Sequence, residues 1–211
     1  LVDLFCGAGG LSQGFLLQGL KPLVGFDLDE SLSYAYAYNN GGRFVAGDLH
    51  ELDSVEVRRW FDGTELRVLA GCPPCQPFST YTQASPRWAD KRAGLSRELL
   101  RVVAGVLPEV VVSENVAAFE RSEAGRFLMV GLSDLGYNVE TRIIDAFDLG
   151  VPQHRQRFTL IASRLGPVLR SPCPAIDRVR TVREAIGWLD PVAAGMLHQK
   201  DPLHVAPRLS P

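Results

Sequence analysis

The sequence predicts an α/β chain built on a mostly parallel sheet with helices on both faces. Short apolar runs at positions 1–5, 23–26, 44–46, 68–70 and 109–113 are too brief for helices and end in turn residues, as buried strands do. Segments with helical spacing lie between them, and parallel neighbours require such crossovers. The first run opens through a glycine turn into a helix, and the second ends in an acid, the layout with which open parallel sheets receive nucleotide-like ligands.

Leu1 to Phe5 reads as the first strand, Gly7, Gly9 and Gly10 as a tight turn, and Leu11 to Leu20 as a helix. Glycine lets a backbone approach a ligand, and a helix start presents free N–H groups. The spacing is not that of a dinucleotide fingerprint, because Ser12 stands where a third glycine would fall. Phe5 either packs in the core or stacks on a ligand's base. The strand 23–26 runs into Asp27-Leu28-Asp29-Glu30 and a helix from Ser31 to Tyr38. Asp27 is placed to accept both hydroxyls of a ribose, whereas Asp29 and Glu30 suit a helix start. A third strand ends at Gly47-Asp48-Leu49, where Asp48 is either a ligand acceptor or the N-cap of a helix over 52–61.

The fourth strand delivers Gly71-Cys72-Pro73-Pro74-Cys75-Gln76-Pro77-Phe78-Ser79. Pro73, Pro74 and Pro77 forbid strand or helix to continue, so Cys75 is held in a stiff loop at the edge of a core, where a nucleophile is useful. Cys72 and Cys75 also spell a Cys-x-x-Cys pair. No second pair completes a zinc site, so no metal is expected, and Pro77 argues against a redox helix. The polar stretch 80–95 reads as a lid. A helix over 96–107 and a fifth strand, 109–113, lead to Glu114-Asn115-Val116. Strand ends share one edge of a parallel sheet, so Glu114 and Cys75 are expected to face a common crevice; the alternative for Glu114 is a capping or ion-paired acid. A helix over 122–135, a strand over 138–145 and a last strand over 158–162 follow. Between the last two strands stands Gln153-His154-Arg155-Gln156-Arg157, whose two arginines point the same way as they enter a strand. His154 has no assigned role.

Four blocks now stand together: Asp3 to Gly10, the Pro74-Cys75-Gln76 loop, Glu114-Asn115-Val116, and Gln153 to Arg157. Their order and spacing resemble those of the DNA (cytosine-5) methyltransferases, over roughly residues 1 to 165. The resemblance implies a Rossmann-like S-adenosylmethionine-dependent methyltransferase fold, with S-adenosyl-L-methionine as the cofactor and double-stranded DNA as the partner. A restriction endonuclease is the implied companion activity. Phe5, Gly7, Gly9, Gly10, Asp27, Leu28, Asp48 and Leu49 are then cofactor-binding candidates, with Leu28 standing where relatives often carry an aromatic residue. Cys75, Glu114, Arg155 and Arg157 are the catalytic candidates, and Gln76, Ser79, Asn115 and Gln153 fall at the substrate.

The chemistry asks for these residue types. Carbon 5 of cytosine is a weak nucleophile until a thiolate adds to C6 and makes an enamine-like carbanion equivalent. Cys75 supplies the thiolate, Glu114 neutralises charge at N3 and the exocyclic amine, and Arg157 holds O2. Arg155 supports the lid or the site. Methyltransferases that act on amino groups instead use a Pro-Pro-aromatic loop, and here Pro73-Pro74 is followed by Cys75. The alternatives are a tRNA cytosine-5 methyltransferase of the same architecture, a nicotinamide-dependent dehydrogenase, and a catalytically silent domain.

Composition sets the remaining bounds. The chain has 211 residues and carries 24 acidic against 22 basic side chains, for a net charge of −2, so nothing drives the whole molecule onto nucleic acid. A locally basic segment, Arg87, Lys91, Arg92, Arg97 and Arg101, follows the cysteine loop and reads either as a solvated loop and helix face or as a set of phosphate contacts. Four cysteines are too few for a disulfide scaffold, and no apolar run is long enough to span a bilayer. A soluble, cytoplasmic protein with no membrane partner is expected. Residues 1–165 read as the catalytic and cofactor-binding domain. From 166 on the chain is proline-rich, with one helix over 181–189, and leads toward a target-recognition domain that is not present. The chain reads as a fragment at both ends.

Overall fold

The computed structural model describes residues 1–74, 94–168, 180–201 and 204–208. Cys75, Gln76 and Ser79 lie outside the described residues, as do Arg87, Lys91 and Arg92 of the basic segment. Two compact units are present: Leu1–Ile144 with Gln156–Ser171, and Asp145–Arg155 with Pro172–Pro211.

The first unit carries the sheet. Its strands are β1 (Val2–Leu4), β2 (Val24–Asp27), β3 (Arg43–Ala46), β4 (Val68–Gly71), β5 (Val110–Val116), β6 (Asn138–Asp145) and β7 (Gln156–Ser163). They lie in the order β3-β2-β1-β4-β5-β7-β6. The first five are parallel, and β7 enters antiparallel to β5. The helices are α1 (Gly10–Leu17), α2 (Ser33–Asn40), α3 (Ser54–Arg59), α4 (Leu95–Val106) and α5 (Glu123–Asp134).

Alternation along the strands assigns the helices to faces. Leu69 joins Val2, Leu4, Val111 and Phe158 in one cluster with Val57 of α3, Leu99, Val102 and Val103 of α4, and Leu128 and Leu132 of α5. Val68 and Ala70, its neighbours in β4, pack instead with Leu1 and with Leu11 and Phe15 of α1. On that second face Tyr36 of α2 lies flat over Gly25, where a side chain would overlap its ring. Helices therefore cover both faces, as the sequence predicts. Among the described residues no helix is long and apolar enough to cross a membrane.

The fifth strand differs from expectation in a way that matters for the site. It was expected to stop at Ser113, yet it continues through Glu114 and Asn115 to Val116. Pairing with β4 covers only Val110 to Val112, whereas pairing with β7 runs from Val110↔Ser163 to Val116↔Arg157. An antiparallel partner arriving from beyond the parallel edge satisfies the backbone of the last four residues. Glu114 thus stands on a strand and not in a loop.

In the second unit Asp145 caps the short 3-10 turn Ala146–Leu149, accepting from the backbone N–H of Phe147 at 3.0 Å and of Arg155 at 2.9 Å. His154 stacks on Phe147 with ring centroids 4.1 Å apart, so the histidine left without a role is a structural one. The helix expected over 181–189 is shorter, α6 (Val182–Ile186). Thr181 and Glu184 form a capping box at its start, and Trp188 folds back so that its indole N–H donates to the Ala185 carbonyl at 2.9 Å.

Candidate functional site

The carboxyl ends of β1, β2 and β3 form the first half of the site. After β1 the backbone turns through Phe5 at φ 61°, Gly7 at φ 55° and Gly9 at φ 92°, left-handed conformations that glycine adopts without cost. Asp27, at the end of β2, locks this turn. One carboxylate oxygen accepts from the Gly7 N–H at 2.8 Å and the other from the Asp29 N–H at 3.1 Å. A carboxylate has about four acceptor positions, so Asp27 keeps capacity for a ligand's hydroxyls while it holds the glycine turn. A Cβ on Gly9 would overlap the Asn40 side-chain amide and the Tyr36 ring, whereas one on Gly7 or Gly10 meets nothing within 4 Å. Gly9 is therefore required by packing, and Gly7 and Gly10 border open space. Leu28 is 73% exposed beside them. Phe5 is partly buried and packs against the main core cluster.

The loop after β3 corrects two expectations. Asp48 is not the N-cap of α3; that place belongs to Asp53, which accepts from the Val55 N–H at 2.9 Å. Asp48 instead accepts from the His50 backbone N–H at 3.0 Å, with the His50 ring nitrogen Nδ1 at 2.8 Å. Leu49, a cofactor-binding candidate, is a core side chain at 3% exposure, because the loop turns it down against α4.

Beneath the glycine turn lies a buried polar chain that the sequence reading did not single out. Ser12 of α1 donates to Asp3 of β1 at 2.7 Å, and the Tyr36 hydroxyl lies 3.1 Å from the Ser12 hydroxyl. All three are almost fully buried. Burial raises the Asp3 carboxyl to about 6 against the bond from Ser12, and it raises Tyr36 as well. The signal was present: a carboxylate in an otherwise apolar strand, and a serine where a dinucleotide fingerprint has glycine.

The second half of the site is the edge where β4 and β5 end. Asn115, a substrate-binding candidate, is buried, and its side-chain amide donates to the Pro73 carbonyl at 2.8 Å. That bond commits its side-chain N–H to the backbone just past β4. Glu114, on the opposite face of β5, lies 2.8 Å from Nε of Arg157. The antiparallel register makes this meeting, since Glu114 opposes Thr159 and Arg157 enters the same strand two residues earlier. Both side chains are partly exposed. Gln153 and Arg155 are exposed residues of the second unit.

Neither described thiol, Cys6 or Cys72, is poised for attack. Burial, with the charges of Asp3 and Asp27 adding to it, pushes Cys6 well above the ordinary thiol range. Burial likewise raises Cys72 to about 12, against a hydrogen bond with the Glu114 backbone that lowers it and with the charges of Asp3 and Glu114 adding to the rise. A thiol so raised stays protonated and unreactive near neutrality. Two of the basic residues expected at phosphates are also committed elsewhere. Arg97 lies over the Phe127 ring at 5.4 Å, and Arg101 donates to Glu98 and to the loop after β3. Among the described residues no group of three or more His, Cys, Asp or Glu could hold a metal ion.

A model of the C-5 cytosine-specific DNA methylase family matches residues 1–178. The type II methylase M.HgiDII of Herpetosiphon aurantiacus is 36% identical over 99% of this chain and 60% of its own length. The type II methyltransferase M1.HphI of Haemophilus parahaemolyticus is 32% identical over 92% of this chain and 54% of its own. The chain thus spans little more than half the length of these relatives. Among solved structures, the Dnmt2 methyltransferase of S. pombe superposes with a TM-score of 0.66 at 22% identity, over 80% of this chain and 50% of that one. The fold is the Rossmann-like one of S-adenosylmethionine-dependent methyltransferases, and the chain belongs to the C-5 cytosine-specific DNA methylase family.

Proposed function

We propose that this chain is the catalytic part of an enzyme that transfers a methyl group from S-adenosylmethionine to carbon 5 of cytosine in double-stranded DNA. The observation that carries the proposal is the Glu114–Arg157 pair, 2.8 Å apart at the carboxyl edge of the sheet. A carboxyl group and a guanidinium side by side match the N3, exocyclic-amine and O2 edge of a cytosine, one group exchanging a proton and the other only donating hydrogen bonds.

The residues present fit the cofactor. The turn at Gly7 and Gly10 opens onto free space, the Asp27 carboxylate stands at the end of β2 with acceptor capacity left, and an exposed Leu28 offers an apolar face. When bound, S-adenosylmethionine supplies an electrophilic methyl on sulfur. Gly7 and Gly10 would let it approach the backbone of the turn that Gly9 packs in place, Asp27 would take the ribose hydroxyls, and Asp48 the adenine amine.

The protein's own steps follow. The Cys75 thiolate adds to C6, forming a C–S bond and moving the electron pair of the double bond onto C5. Glu114 gives a proton to the ring at N3 as that charge develops, and Arg157 holds O2. After C5 has taken the methyl from sulfur, a base takes the C5 proton, the C5–C6 double bond re-forms as the thiolate leaves, and N3 returns its proton to Glu114. High pKa values at Cys6 and Cys72 support giving the nucleophile's part to Cys75. By the same resemblance Arg155 is assigned to catalysis, and Gln76, Ser79 and Gln153 to the substrate. A base in a duplex must be extruded first, at a cost of a few kcal/mol, which phosphate contacts outside the described residues would offset. As a member of a family whose relatives here are type II enzymes, the protein would protect DNA beside a companion endonuclease.

The test is transfer of labelled methyl from S-adenosylmethionine by the full-length protein to duplex DNA and to tRNA. Label on C5 of DNA cytosine supports the reading. Label confined to tRNA moves the substrate to RNA, and label on an amino group refutes C5 chemistry.

A further inference from the structure

We infer that Arg101 is a positioning residue for the cofactor's adenine: it holds the loop after β3, and through it Asp48, in its binding shape. The inference rests on the cofactor reading above. The loop between Ala46 and Ser54 has little regular structure of its own. Two backbone bonds turn it, Glu51 N–H to the Asp48 carbonyl at 3.0 Å and Leu52 N–H to the Leu49 carbonyl at 3.3 Å. From below it is tied by the buried side chains of Leu49 and Leu52. From the side it is tied by one guanidinium. A single terminal nitrogen of Arg101 donates to the Leu49 carbonyl at 2.8 Å and to the Leu52 carbonyl at 3.0 Å.

The choice of arginine is physically specific. Its Nε donates to Glu98, one turn earlier in α4, at 2.7 Å, which fixes the plane of the fork so that the far nitrogen reaches both carbonyls. A lysine carries no second donor group at that distance from its tip and could satisfy the carbonyls but not Glu98 as well. The carbonyls gripped belong to the residue directly after Asp48 and to the last residue before the α3 cap. A shift of that backbone therefore moves the Asp48 carboxylate, while Leu49 and Leu52 keep the core filled.

Calorimetric binding of S-adenosylhomocysteine to the 211-residue chain tests this, using the wild type, Arg101→Gln, Arg101→Lys, Asp48→Ala and the double variant Arg101→Gln/Asp48→Ala, with thermal unfolding read on each. Arg101→Gln is expected to weaken binding about tenfold, the scale of losing hydrogen bonds from a charged donor. Arg101→Lys should recover part of it, and the double variant should bind no more weakly than Asp48→Ala alone. A role in folding alone would lower thermal stability and add its effect to that of Asp48→Ala. Binding by Arg101→Gln within about twofold of wild type, or additive losses in the double variant, overturns the inference while leaving the cofactor reading intact. Absence of binding by the wild type overturns the cofactor reading and the inference with it.

Discussion

Glu114 and Arg157 meet at 2.8 Å across an antiparallel strand pair, although 43 positions separate them in a chain whose other central strands run parallel. The pair is the product of topology: β7 must enter between β5 and β6 in the opposite sense for the two side chains to reach the same edge. Because both are partly exposed, their attraction adds little to stability, and their proximity is better explained by chemistry. Arg157→Ala should therefore lower kcat by about 100-fold or more, as loss of one preorganised donor does. Thermal unfolding should show a cost below about 1 kcal/mol. A large stability loss with normal kcat would make the pair a structural bridge.

Asn115 should behave in the opposite way. Its amide is buried against the Pro73 carbonyl, so Asn115→Ala leaves a buried acceptor unpaired and is expected to cost about 1–3 kcal/mol in urea unfolding. The rate of methyl transfer should fall as well, because the backbone at Pro73, two residues before Cys75, loses its anchor, while S-adenosylhomocysteine affinity stays near that of the wild type.

The glycine turn gives a matched pair of tests. Gly9→Ala drives a Cβ into Asn40 and Tyr36 at a backbone φ of 92°, and should cost about 2–4 kcal/mol by combining overpacking with left-handed strain. Gly7→Ala meets open space and should cost only about 1–2 kcal/mol of strain, yet weaken cofactor binding strongly if that space is the cofactor's. Circular dichroism melts and calorimetric titration separate the two outcomes.

A buried carboxyl and a half-buried one set opposite pH trends. Asp3 is raised by burial from 3.8 to about 6, so the folded state binds more protons than the unfolded state between those values. Its contribution is present below pH 3.8 and is lost as pH rises to about 6, on the order of 3 kcal/mol. Asp3→Asn should therefore gain stability relative to wild type between pH 4 and pH 7. Glu109 is the reverse case: hydrogen bonds from Arg67 lower it from 4.5 to about 2, with both of its oxygens held at 2.6 to 3.1 Å. Its contribution is present above pH 4.5 and lost as pH falls through about 2, so Glu109→Gln should destabilise at pH 7 and converge on wild type near pH 2. Urea midpoints measured across pH would contradict the assignments if either trend were flat or inverted.

The sequence carried most of the architecture because each β4-type run is short, apolar and bounded by glycine or proline, and because helical spacing recurs between the runs. It carried the glycine turn and Asp27 for the same reason, since their chemistry is local. The end of β5 was not legible, because its length depends on a partner strand more than 40 residues away whose direction no local pattern reveals. The side-chain placements of Leu49 and Asn115 were hidden in a related manner: only the fold decides that one packs into the core and the other reaches a backbone carbonyl. Arg97 and Arg101 looked like a phosphate-binding face, but a ring and two carbonyls within reach took up their donors. Asp3 was visible as a charge in a strand, and its meaning required Ser12 and Tyr36 from two helices.

The most direct measurement is covalent trapping of the full-length protein on duplex DNA carrying 5-fluorocytosine, with S-adenosylmethionine present. Fluorine cannot leave as a proton does, so the thiol remains attached to C6. A denaturant-resistant adduct is expected with the wild type and with Cys72→Ala, whose thiol is held protonated, and none is expected with Cys75→Ala. An adduct that persists in Cys75→Ala would contradict the account.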